Sequence, residues 1–457
     1  MTAASYPALD YPALAQPFTP TDSDAALPAS ADVVIIGSGV IGICAALELA
    51  AQGLQVAVLE KGLIAAEQSS RNWGWVRQQG RDRRELPLIV HSLARWEQLQ
   101  HSTGSDLGFR RTGLLSLTRD AKELARWQRW AVRGRAAGIE VQELDAAAAE
   151  ALLPSIAAPW LGGIATPDDA RAEPGVAVPA LAAAARRAGV SLHQHTAART
   201  LLLEQGAVAG VITEHGTIRS HSVLLAAGAW SSLFLRQHGV RLPQLTVRAT
   251  VARTSACAAI VAGTFCSTDF CLRRRLDDGF TLTLREDEIF DLEPDSFRFL
   301  GDFAPLLWRN WRQIKLRAGL GHFVSSWRRQ RTRTPQQRSA FEIERIYNPA
   351  PDTTVADRAL QRLKHGRAQM AETTLAASWA GRIDLTPDLV PVISPVASLP
   401  GLVLATGFSG HGFGIGPGAG RLAADLLRGA PPVVDPAPFR LSRFSDGSPL
   451  FIDPDVI

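Results

Sequence analysis

The 457-residue sequence has few cysteines, few lysines and no long apolar run. Its four cysteines (Cys44, Cys257, Cys266 and Cys271) include no CxxC pair. Their number and spacing argue against a disulfide framework and favour a reducing, cytoplasmic location. No stretch of eighteen or more apolar residues occurs, which argues against a membrane-spanning helix. Residues 1–30 lack a basic start followed by an apolar run, so we expect a flexible arm or a surface strap rather than a secretory signal.

The positive charge is almost entirely arginine. The 48 basic residues include four lysines (Lys61, Lys122, Lys315 and Lys364), and the formal net charge is +4. Basic residues concentrate at 309–338, but no nucleic-acid-binding motif accompanies them, so we expect no nucleic-acid partner. We see no metal-ligand pattern either. The length suits two domains rather than one core.

Residues 32–60 predict a βαβ unit. Apolar runs at 32–36 and 55–59 predict buried strands, and the apolar spacing at 43–52 predicts a helix between them that stops at Gly53. A Gly-x-Gly-x-x-Gly motif follows the first strand, and Glu60 ends the second. This context indicates an adenine dinucleotide: the glycines allow a tight turn, close approach of a pyrophosphate and close helix packing, while Glu60 accepts hydrogen bonds from ribose. The alternative is a glycine-rich turn with no ligand. The candidate ligand-binding residues are Gly37, Ser38, Gly39, Val40, Ile41, Gly42, Glu60 and Lys61.

A second motif follows at residues 69–77 and mixes small, polar, tryptophan and arginine residues. We expect Ser69, Ser70 and Arg71 to serve the pyrophosphate. Asn72, Trp73 and Gly74 are expected to pass along the ring system of the cofactor. A surface loop is the alternative, but two tryptophans as close as Trp73 and Trp75 are unusual in one.

A third motif is the glycine-dense stretch at 407–418, which we predict as a loop before a helix at 419–427. Its backbone can approach a flat ligand, and the helix N-terminus can stabilise negative charge. His411 is a candidate base, although a packed and hydrogen-bonded histidine is the more common role for such a residue. The candidate ligand-binding residues here are Gly410, His411, Gly412, Phe413 and Gly414, joined by Gly228 and Trp230 after a predicted strand at 223–227.

These three motifs together resemble the D-amino acid oxidase (DAO) superfamily of FAD-dependent oxidoreductases, which includes sarcosine oxidases, glycine oxidases and D-amino acid dehydrogenases. Residues 379–388, with Gly381, also resemble the superfamily segment that faces the flavin. The resemblance spans residues 32 to about 430. It implies an α/β fold (α+β overall), in which a Rossmann-like FAD-binding domain interleaves with an antiparallel-sheet substrate domain.

We assign the segments of the chain accordingly. Helices are predicted at 92–100, 123–137 and 176–188, short strands at 191–225, and a further strand at 280–284. The expected division is an arm at 1–30, a FAD-binding domain at 31–90, 170–240 and 376–440, a substrate domain at 91–169 and 241–375, and a C-terminal tail at 441–457.

The sequence departs from the resemblance at two positions that matter. Sarcosine oxidases place a carboxylate-binding lysine where this chain has Gly414, and they attach the flavin through a cysteine near the equivalent of 379–381, where this chain has none. We therefore expect non-covalent FAD and another cation for a substrate carboxylate. Arg77 is the first choice and Arg382 the second, because arginine can hold a carboxylate bidentately; the alternative is a surface or pyrophosphate role for Arg77.

The resemblance implies oxidation of a C–N bond in an amino acid or secondary amine, by hydride transfer to flavin N5, giving an imine that hydrolyses. Trp73, Trp75 and Trp379 are expected walls, and burial would lower the pKa of the substrate amine so that no dedicated base is required. Oxygen or a quinone is the expected electron acceptor. Residues 276–300 lack a lysine that could promote reaction with oxygen, which mildly favours a dehydrogenase.

Three alternatives stay open. The chain could oxidise a 2-hydroxy acid, or it could be the flavin subunit of a heteromeric amine or opine oxidase. The basic stretch at 305–331, with Trp308, Trp311 and Trp327, could contact a membrane surface, although we prefer a lid or a packed helix of the substrate domain.

Overall fold

The computed structural model describes residues 19–156, 158–285, 288–310, 315–331 and 334–456. Its α-helices are α1 (Val40–Ala50), α2 (Gln68–Arg71), α3 (Leu86–Ser102), α4 (Ala121–Ala136), α5 (Ala146–Leu152), α6 (Pro174–Arg187), α7 (Ser231–Arg236), α8 (Pro294–Arg298), α9 (Leu300–Asn310), α10 (Leu320–Arg329), α11 (Ala340–Ile343), α12 (Thr353–Lys364) and α13 (Gly412–Arg428).

The strands are β1 (Val33–Ile36), β2 (Val56–Leu59), β3 (Trp75–Val76), β4 (Arg110–Arg111), β5 (Leu114–Thr118), β6 (Gln142–Leu144), β7 (Gly162–Thr166), β8 (Ala170–Arg171), β9 (Ser191–His193), β10 (Ala198–Glu204), β11 (Ala207–Thr213), β12 (Gly216–Arg219), β13 (Val223–Leu225), β14 (Leu245–Thr254), β15 (Thr264–Cys266), β16 (Cys271–Arg274), β17 (Phe280–Thr283), β18 (Ile289–Asp291), β19 (Lys315–Arg317), β20 (Leu375–Leu385), β21 (Val392–Pro395) and β22 (Leu402–Thr406).

A six-stranded sheet forms one side of the molecule, in the order β21-β22-β13-β1-β2-β9. β1 pairs in parallel with β2 and β13, and β21 at the edge is antiparallel to β22. β1 and β2 are buried along their whole length, which explains their continuous apolar sequences: both faces of a parallel sheet are covered. One face packs against α1, α3, α6 and α13, and the other against the antiparallel β10-β11-β12 sheet. The α/β class and the Rossmann-like βαβ unit are confirmed.

Three predicted helix starts were wrong by three or more residues. α1 begins at Val40 rather than at 43, α3 at Leu86 rather than at 92, and α13 at Gly412 rather than at 419. The glycines of α13 serve helix packing: a Cβ on Gly420 would lie 2.7 Å from the Ala45 backbone nitrogen, and one on Gly418 would lie 2.7 Å from the Leu88 carbonyl oxygen. Glycine density therefore indicated close contact of α13 with α1 and α3 rather than a loop.

A larger, mainly antiparallel sheet forms the other side, in the order β19-β18-β14-β17-β16-β15-β5-β7-β6, and β20 pairs with β14 over ten residue pairs. The predicted strand at 280–284 is β17 in this sheet. β20 of this sheet leads directly into β21 at the edge of the six-stranded sheet. The chain therefore connects the two sheets next to the site.

The sequence did not predict the disulfide bond between Cys266 and Cys271. The two cysteines are register partners on adjacent antiparallel strands, a proximity that the pattern of cysteines in the sequence does not reveal. The structure therefore adds one local cross-link to a sequence whose cysteine spacing argued against a disulfide framework. Cys44 and Cys257 are free.

Both ends of the described chain fold against the two sheets. In the predicted arm, residues 1–18 lie outside the described residues, while Asp24 hydrogen-bonds to Leu192 of β9 and pairs with Arg186 of α6. The predicted tail includes a short 3-10 helix, Leu441–Phe444, followed by an irregular segment. Across the described ranges, no helix combines the length and the apolar character needed to cross a membrane.

Candidate functional site

A cavity of about 540 Å³ extends from the carboxyl ends of β1, β2 and β13 to β5 and β14 of the larger sheet. The carboxyl ends of parallel strands are the usual position of ligands in such sheets. The sequence-predicted residues that line it are Gly37, Ser38, Gly39, Val40, Ile41, Glu60, Lys61, Ser69, Arg71, Asn72, Trp73, Trp75, Arg77, Gly228, Trp230, Gly381, Gly410, His411, Gly412, Phe413 and Gly414. Gly42, Ser70, Gly74, Trp379 and Arg382 do not line it.

The turn after β1 needs glycine for two separate reasons. Gly37 has φ +105°, and a Cβ there would lie 2.4 Å from the Ala226 carbonyl oxygen. A Cβ on Gly42 would lie 2.1 Å from the Gly37 carbonyl oxygen, so Gly42 permits the packing of α1 and does not itself reach the cavity. The turn thus brings backbone without side chains to the N-terminus of α1, where the helix dipole favours an anion.

Glu60 and Ser69 complete this end of the cavity. Glu60 accepts hydrogen bonds from Ser38 Oγ at 2.8 Å and from the Gly62 nitrogen at 2.8 Å. Its burial raises the pKa of its carboxyl group, an effect that the neighbouring Lys61 opposes. Ser69 Oγ accepts a hydrogen bond from the Val40 nitrogen at 2.9 Å, which fixes the second motif to the first turn of α1.

Lys61 and Trp230 form a second cluster of polar contacts at the nucleotide end of the cavity. Lys61 Nζ pairs with Glu67 and lies 4.3 Å from the centre of the Trp230 ring. Trp230 Nε1 donates to the same carboxylate at 3.0 Å. The two predicted residues therefore lie together, joined by a glutamate that sequence reasoning did not select.

The 69–77 segment divides into residues that face the cavity and residues that shape the backbone. Arg71 is buried and donates to the Ala66 and Ala380 carbonyl oxygens at 3.0 Å, while its Nη2 has no hydrogen-bond partner among the described residues. Asn72 bonds back to Ser69 and to the Gly74 nitrogen, so it shapes the turn. Trp73 and Trp75 meet edge to face, with ring centres 4.9 Å apart.

Arg77 and Arg81 lie at the opposite end of the cavity, in the stretch between β3 and α3. Arg81 Nε donates to the Arg77 carbonyl oxygen at 3.1 Å. Burial, followed by repulsion from Arg81, lowers the pKa of Arg77 to about 9. Burial also lowers the pKa of Arg81. Burial disfavours the charged form of both arginines, and Asp169 and Glu85 offset only part of this effect. A bound anion would therefore stabilise the two guanidinium groups.

Arg81 occupies the space beside Gly414. Its Nη2 would lie 3.1 Å from a Cβ built on Gly414, and it donates to the His411 carbonyl oxygen at 3.3 Å. Its Nη1 has no hydrogen-bond partner among the described residues, although Glu85 lies 3.9 Å away. The cation that a lysine at 414 would supply is therefore present in the same place, carried by a different element.

His411 precedes α13 and pairs with a buried glutamate. Its Nδ1 lies 3.0 Å from Glu85 Oε2. Burial, despite the opposing effect of Glu85, lowers the pKa of His411. Burial alone would raise the pKa of Glu85, but His411, Arg81 and Arg77 together lower it. A neutral imidazole that donates through Nδ1 leaves Nε2 as a proton acceptor.

The structure does not support the second-choice cation or one expected wall. Arg382 pairs with Glu293 and packs on the Tyr347 ring, outside the cavity, because its position on β20 directs it to the opposite face from Gly381. Trp379 is buried and donates to the Arg71 carbonyl oxygen at 3.0 Å, so it positions that backbone rather than lining the cavity. Ser70 is buried and bonds to the Glu67 carbonyl oxygen.

Sequence reasoning missed several cavity residues. Asp384 accepts hydrogen bonds from Gln68 and from the Gly407 nitrogen, and burial raises the pKa of its carboxyl group. Its place in the resembling 379–388 segment was an available signal. Others come from distant parts of the chain, with no local pattern to mark them: Gln79, Ser116, Arg126, Arg285, Arg309, Ile452, Asp453 and Val456.

These features fit a bound dinucleotide. The glycine turn brings backbone to the N-terminus of α1, and Glu60 follows β2 in the position of a ribose partner. The buried Arg71 Nη2 has no hydrogen-bond partner within the part of the chain that the structure describes. Each is a group that a nucleotide with a pyrophosphate would satisfy.

A family model described as FAD dependent oxidoreductase (DAO) matches residues 32–426. The chain is 28% identical over 433 residues to a glycine oxidase of Pseudomonas aeruginosa, covering 89% of this chain and 97% of that protein. It is 26% identical to a D-amino acid dehydrogenase of Paramagnetospirillum magneticum over 365 residues, covering 79% of this chain and 74% of that protein.

Among solved structures, the fold is similar to an L-amino acid deaminase from Proteus myxofaciens in complex with anthranilate. The TM-score is 0.89 at 29% identity, covering 94% of this chain and 96% of that chain. An L-amino acid deaminase from Proteus vulgaris gives a TM-score of 0.88 at 28% identity, covering 93% and 100%.

Proposed function

The chain belongs to the DAO family of FAD-dependent oxidoreductases, and from that premise we propose that it deaminates an α-amino acid by oxidising the bond between the α-carbon and nitrogen. The chain is an oxidoreductase that uses FAD and acts on an amino acid or amine as its family does. The choice of an α-amino acid rests on the arrangement of Arg77 and Arg81.

The two arginines supply a carboxylate site at the end of the cavity away from the nucleotide turn. Both line the cavity, Arg81 is buried and Arg77 is half-buried, and burial with repulsion from Arg81 lowers the pKa of Arg77 to about 9. An α-carboxylate between them would relieve that repulsion and accept charge-assisted hydrogen bonds, which are the strong ones in proteins. A plain amine, with no carboxylate, would make no such hydrogen bonds with the two arginines.

The backbone that follows Arg77 is fixed by hydrogen bonds to Asp169. Asp169 accepts hydrogen bonds from the Gln78 nitrogen at 2.6 Å and from the Gln79 nitrogen at 3.2 Å. Gln79 itself donates to Thr166 Oγ1 at 3.1 Å. A fixed backbone keeps Arg77 in place before the substrate arrives, so less binding energy is spent on ordering it.

FAD bound in the cavity would supply a two-electron acceptor for the hydride of the substrate α-carbon, and the product imine would hydrolyse to a 2-oxo acid and ammonia. The protein binds the carboxylate, orients the α-carbon and excludes water. Trp73 and Trp75 contribute walls that favour the neutral form of the substrate amine.

His411 takes the proton that the substrate ammonium must lose. It lines the cavity, and Glu85 at 3.0 Å from Nδ1 orients the ring. Because burial lowers the pKa of His411, the imidazole is neutral and able to accept a proton near neutral pH. Glu85 is then a positioning residue that also stabilises the imidazolium.

The relatives favour an L-amino acid as the substrate. The L-amino acid deaminases of two Proteus species share the fold at TM-scores of 0.89 and 0.88. The ligand in one of those structures, anthranilate, is an aromatic amine that bears a carboxylate, in keeping with a carboxylate site. Oxidation of a 2-hydroxy acid is the second candidate, because the same arginine pair would hold its carboxylate.

The test is identification of the product. The purified holoenzyme is incubated with L-amino acids and an artificial electron acceptor, and both the 2-oxo acid and ammonia are quantified. The proposal predicts equal amounts of the two products for at least one L-amino acid. Release of a methylated amine or an aldehyde from an N-methyl substrate, with no 2-oxo acid from any primary amino acid, would contradict it.

The surface of α9 and α10 favours a second property, contact with an anionic lipid surface. Phe303 and Leu306 of α9 are buried, but Trp308 is 85% exposed and Leu320 of α10 is 81% exposed. The preferred interpretation, a packed helix, accounts for one face of α9. The exposed apolar side chains among arginines suit contact with an anionic lipid surface; Trp311 lies outside the described residues.

A further inference from the structure

Residues 451–456, here the terminal segment, reach the cavity from the far end of the sequence. Ile452, Asp453 and Val456 line the same cavity as Arg77 and Arg81. Asp453 is 4% exposed and Asp455 is 1% exposed. A segment without helix or strand is thus built into the wall of the site rather than lying over the surface.

Arginines of α4 hold the terminal segment. Asp455 lies 2.8 Å from Arg129 and 2.7 Å from Arg133, and Arg133 also pairs with Asp453 at 2.8 Å. The same helix carries Arg126, which lines the cavity. Positions 126, 129 and 133 are three and four residues apart, so they share one face of α4. The helix therefore places the terminal segment directly beside the cavity.

Two further contacts fix the segment at the substrate end. Arg84 donates to the Phe451 carbonyl oxygen at 2.8 Å, and Arg309 donates to the Ile452 carbonyl oxygen at 3.1 Å. Arg84 lies three residues after Arg81, and Arg309 lines the cavity. Helix α4, which holds the segment, also contacts Arg81, because Trp130 Nε1 donates to the Arg81 carbonyl oxygen at 3.0 Å.

The side chains of the terminal segment suit a cavity wall that selects the substrate side chain. Its acidic side chains pair with Arg129 and Arg133, and the side chains that border the cavity are the paired Asp453 and the apolar Ile452 and Val456. A substrate held by its carboxylate at Arg77 and Arg81 must direct its side chain to the remaining space. An apolar wall there would favour an apolar side chain and limit its length.

We propose that the terminal segment, through Ile452 and Val456, forms the wall that sets the length of the substrate side chain. This inference rests on the proposed function for the identity of the substrate, but not for the position of the wall. It assigns to residues 451–456 a role in selectivity, with Asp453 and Asp455 as positioning residues that act through Arg129 and Arg133.

The experiment compares Ile452→Ala and Ile452→Trp holoenzymes with the original, using Leu450→Ala as a matched control just outside the cavity wall. Dissociation constants of straight-chain carboxylates from acetate to octanoate are measured by perturbation of the flavin absorbance, which needs no turnover. Values of kcat/KM for L-alanine, L-norvaline, L-leucine and L-phenylalanine give a second readout. Flavin content and thermal unfolding establish that each variant is folded.

The wall predicts opposite changes from the two substitutions. Ile452→Trp should weaken binding of the longest carboxylates by about tenfold relative to acetate, while Ile452→Ala should shift the preference toward longer chains. Asp453→Asn combined with Asp455→Asn, which releases the segment without changing its apolar residues, should broaden selectivity in the same direction as Ile452→Ala. Leu450→Ala should leave the chain-length profile unchanged.

The two proposals can fail separately. If the chain-length profile for carboxylates is the same in all folded variants, the wall is not at Ile452, even though amino acids are oxidised. If the profile shifts as predicted but no amino acid reduces the flavin, the wall is supported and the proposed reaction is wrong. Should Ile452→Trp fail to fold, Ile452→Ala and the double Asn variant decide the outcome.

Discussion

Arg77 and Arg81 supply positive charge that sarcosine oxidases obtain from a lysine at the position of Gly414. Gly414 takes the place of a lysine in the sarcosine-oxidase pattern, and the absence of a side chain there leaves room for the Arg81 guanidinium, 3.1 Å from where a Cβ would lie. The sequence predicted that another cation was needed and named Arg77. It could not identify Arg81, because the proximity of 81 and 414 arises only when β3, α3 and α13 pack together.

Replacing Arg81 with methionine should weaken carboxylate binding. Methionine is similar in length to arginine but carries no charge and no hydrogen-bond donor. Hydrogen bonds to charged groups contribute about 1.5–3 kcal/mol, or about 10- to 100-fold in the dissociation constant. Titration of benzoate against the flavin absorbance measures the effect. Arg219→Met, at an exposed arginine on β12, is the control. Equal benzoate affinity in Arg81→Met and the original protein would remove Arg81 from the site.

Replacing Glu85 with glutamine should move the acidic limb of the kcat/KM profile to lower pH. Activity requires neutral His411, and the Glu85 carboxylate raises the pKa of His411 by stabilising the imidazolium. Without that charge the imidazolium loses its partner, the pKa falls, and the neutral form persists at lower pH. The value of kcat should also fall, because the ring is less well oriented.

The control for this prediction is Glu97→Gln, on α3, the helix that Glu85 precedes; the Glu97 side chain is half-exposed and paired with Arg111. Its pH profile should match that of the original enzyme. A purely structural role for Glu85 would lower activity by the same factor at every pH, and an acidic limb that stays in place or moves to higher pH would rule out the proposed pairing.

Among the elements, α13 shows a sequence signal that was recognised but misinterpreted. Dense glycine at 407–418 predicted a loop, whereas the helix begins at Gly412 and uses Gly416, Gly418 and Gly420 to approach α1 and α3. Local propensity disfavours helical glycine, but close packing of buried helices overrides it. The strands β1 and β2 were predicted correctly because continuous burial leaves an unambiguous apolar run.

Gly420→Ala should destabilise the protein. The added Cβ would lie 2.7 Å from the Ala45 nitrogen and 2.7 Å from Cys44 Cβ, where the backbone of α1 cannot easily move. We expect a loss of about 1–3 kcal/mol and a lower melting temperature by calorimetry. Gly301→Ala, in the exposed part of α9 where a Cβ meets nothing within 4 Å, should be neutral or slightly stabilising. The same melting temperature in both variants would refute the packing argument.

The exposed face of α9 and α10 should bind anionic vesicles at low salt. Apolar side chains and arginines together favour an anionic interface. Sedimentation with phosphatidylglycerol vesicles measures the bound fraction, and Trp308→Ser with Leu320→Ser should reduce it severalfold. Val132→Ser, at an exposed apolar residue of α4, serves as the control. Complete recovery of the original protein in the supernatant would support packing or a lid instead.

At the scale of the whole molecule, the cavity is assembled from parts of the chain that are hundreds of residues apart. The turn after β1, the stretch after β3, the start of α13 and the terminal segment all border one cavity of about 540 Å³. The family, the cofactor and the nucleotide end were predictable because each rests on a local motif. The wall from residues 451–456 and the partners Glu85 and Asp384 were not, because their roles depend on tertiary contacts.

The central claim is tested most directly by anaerobic reduction of the yellow holoenzyme. The panel comprises L-amino acids, D-amino acids, N-methyl amino acids, amines that lack a carboxylate, and 2-hydroxy acids, and the readout is loss of the flavin absorbance. We predict bleaching by one or more L-amino acids and none by amines without a carboxylate. Bleaching by 2-hydroxy acids alone, or by simple amines as readily as by amino acids, would contradict the account.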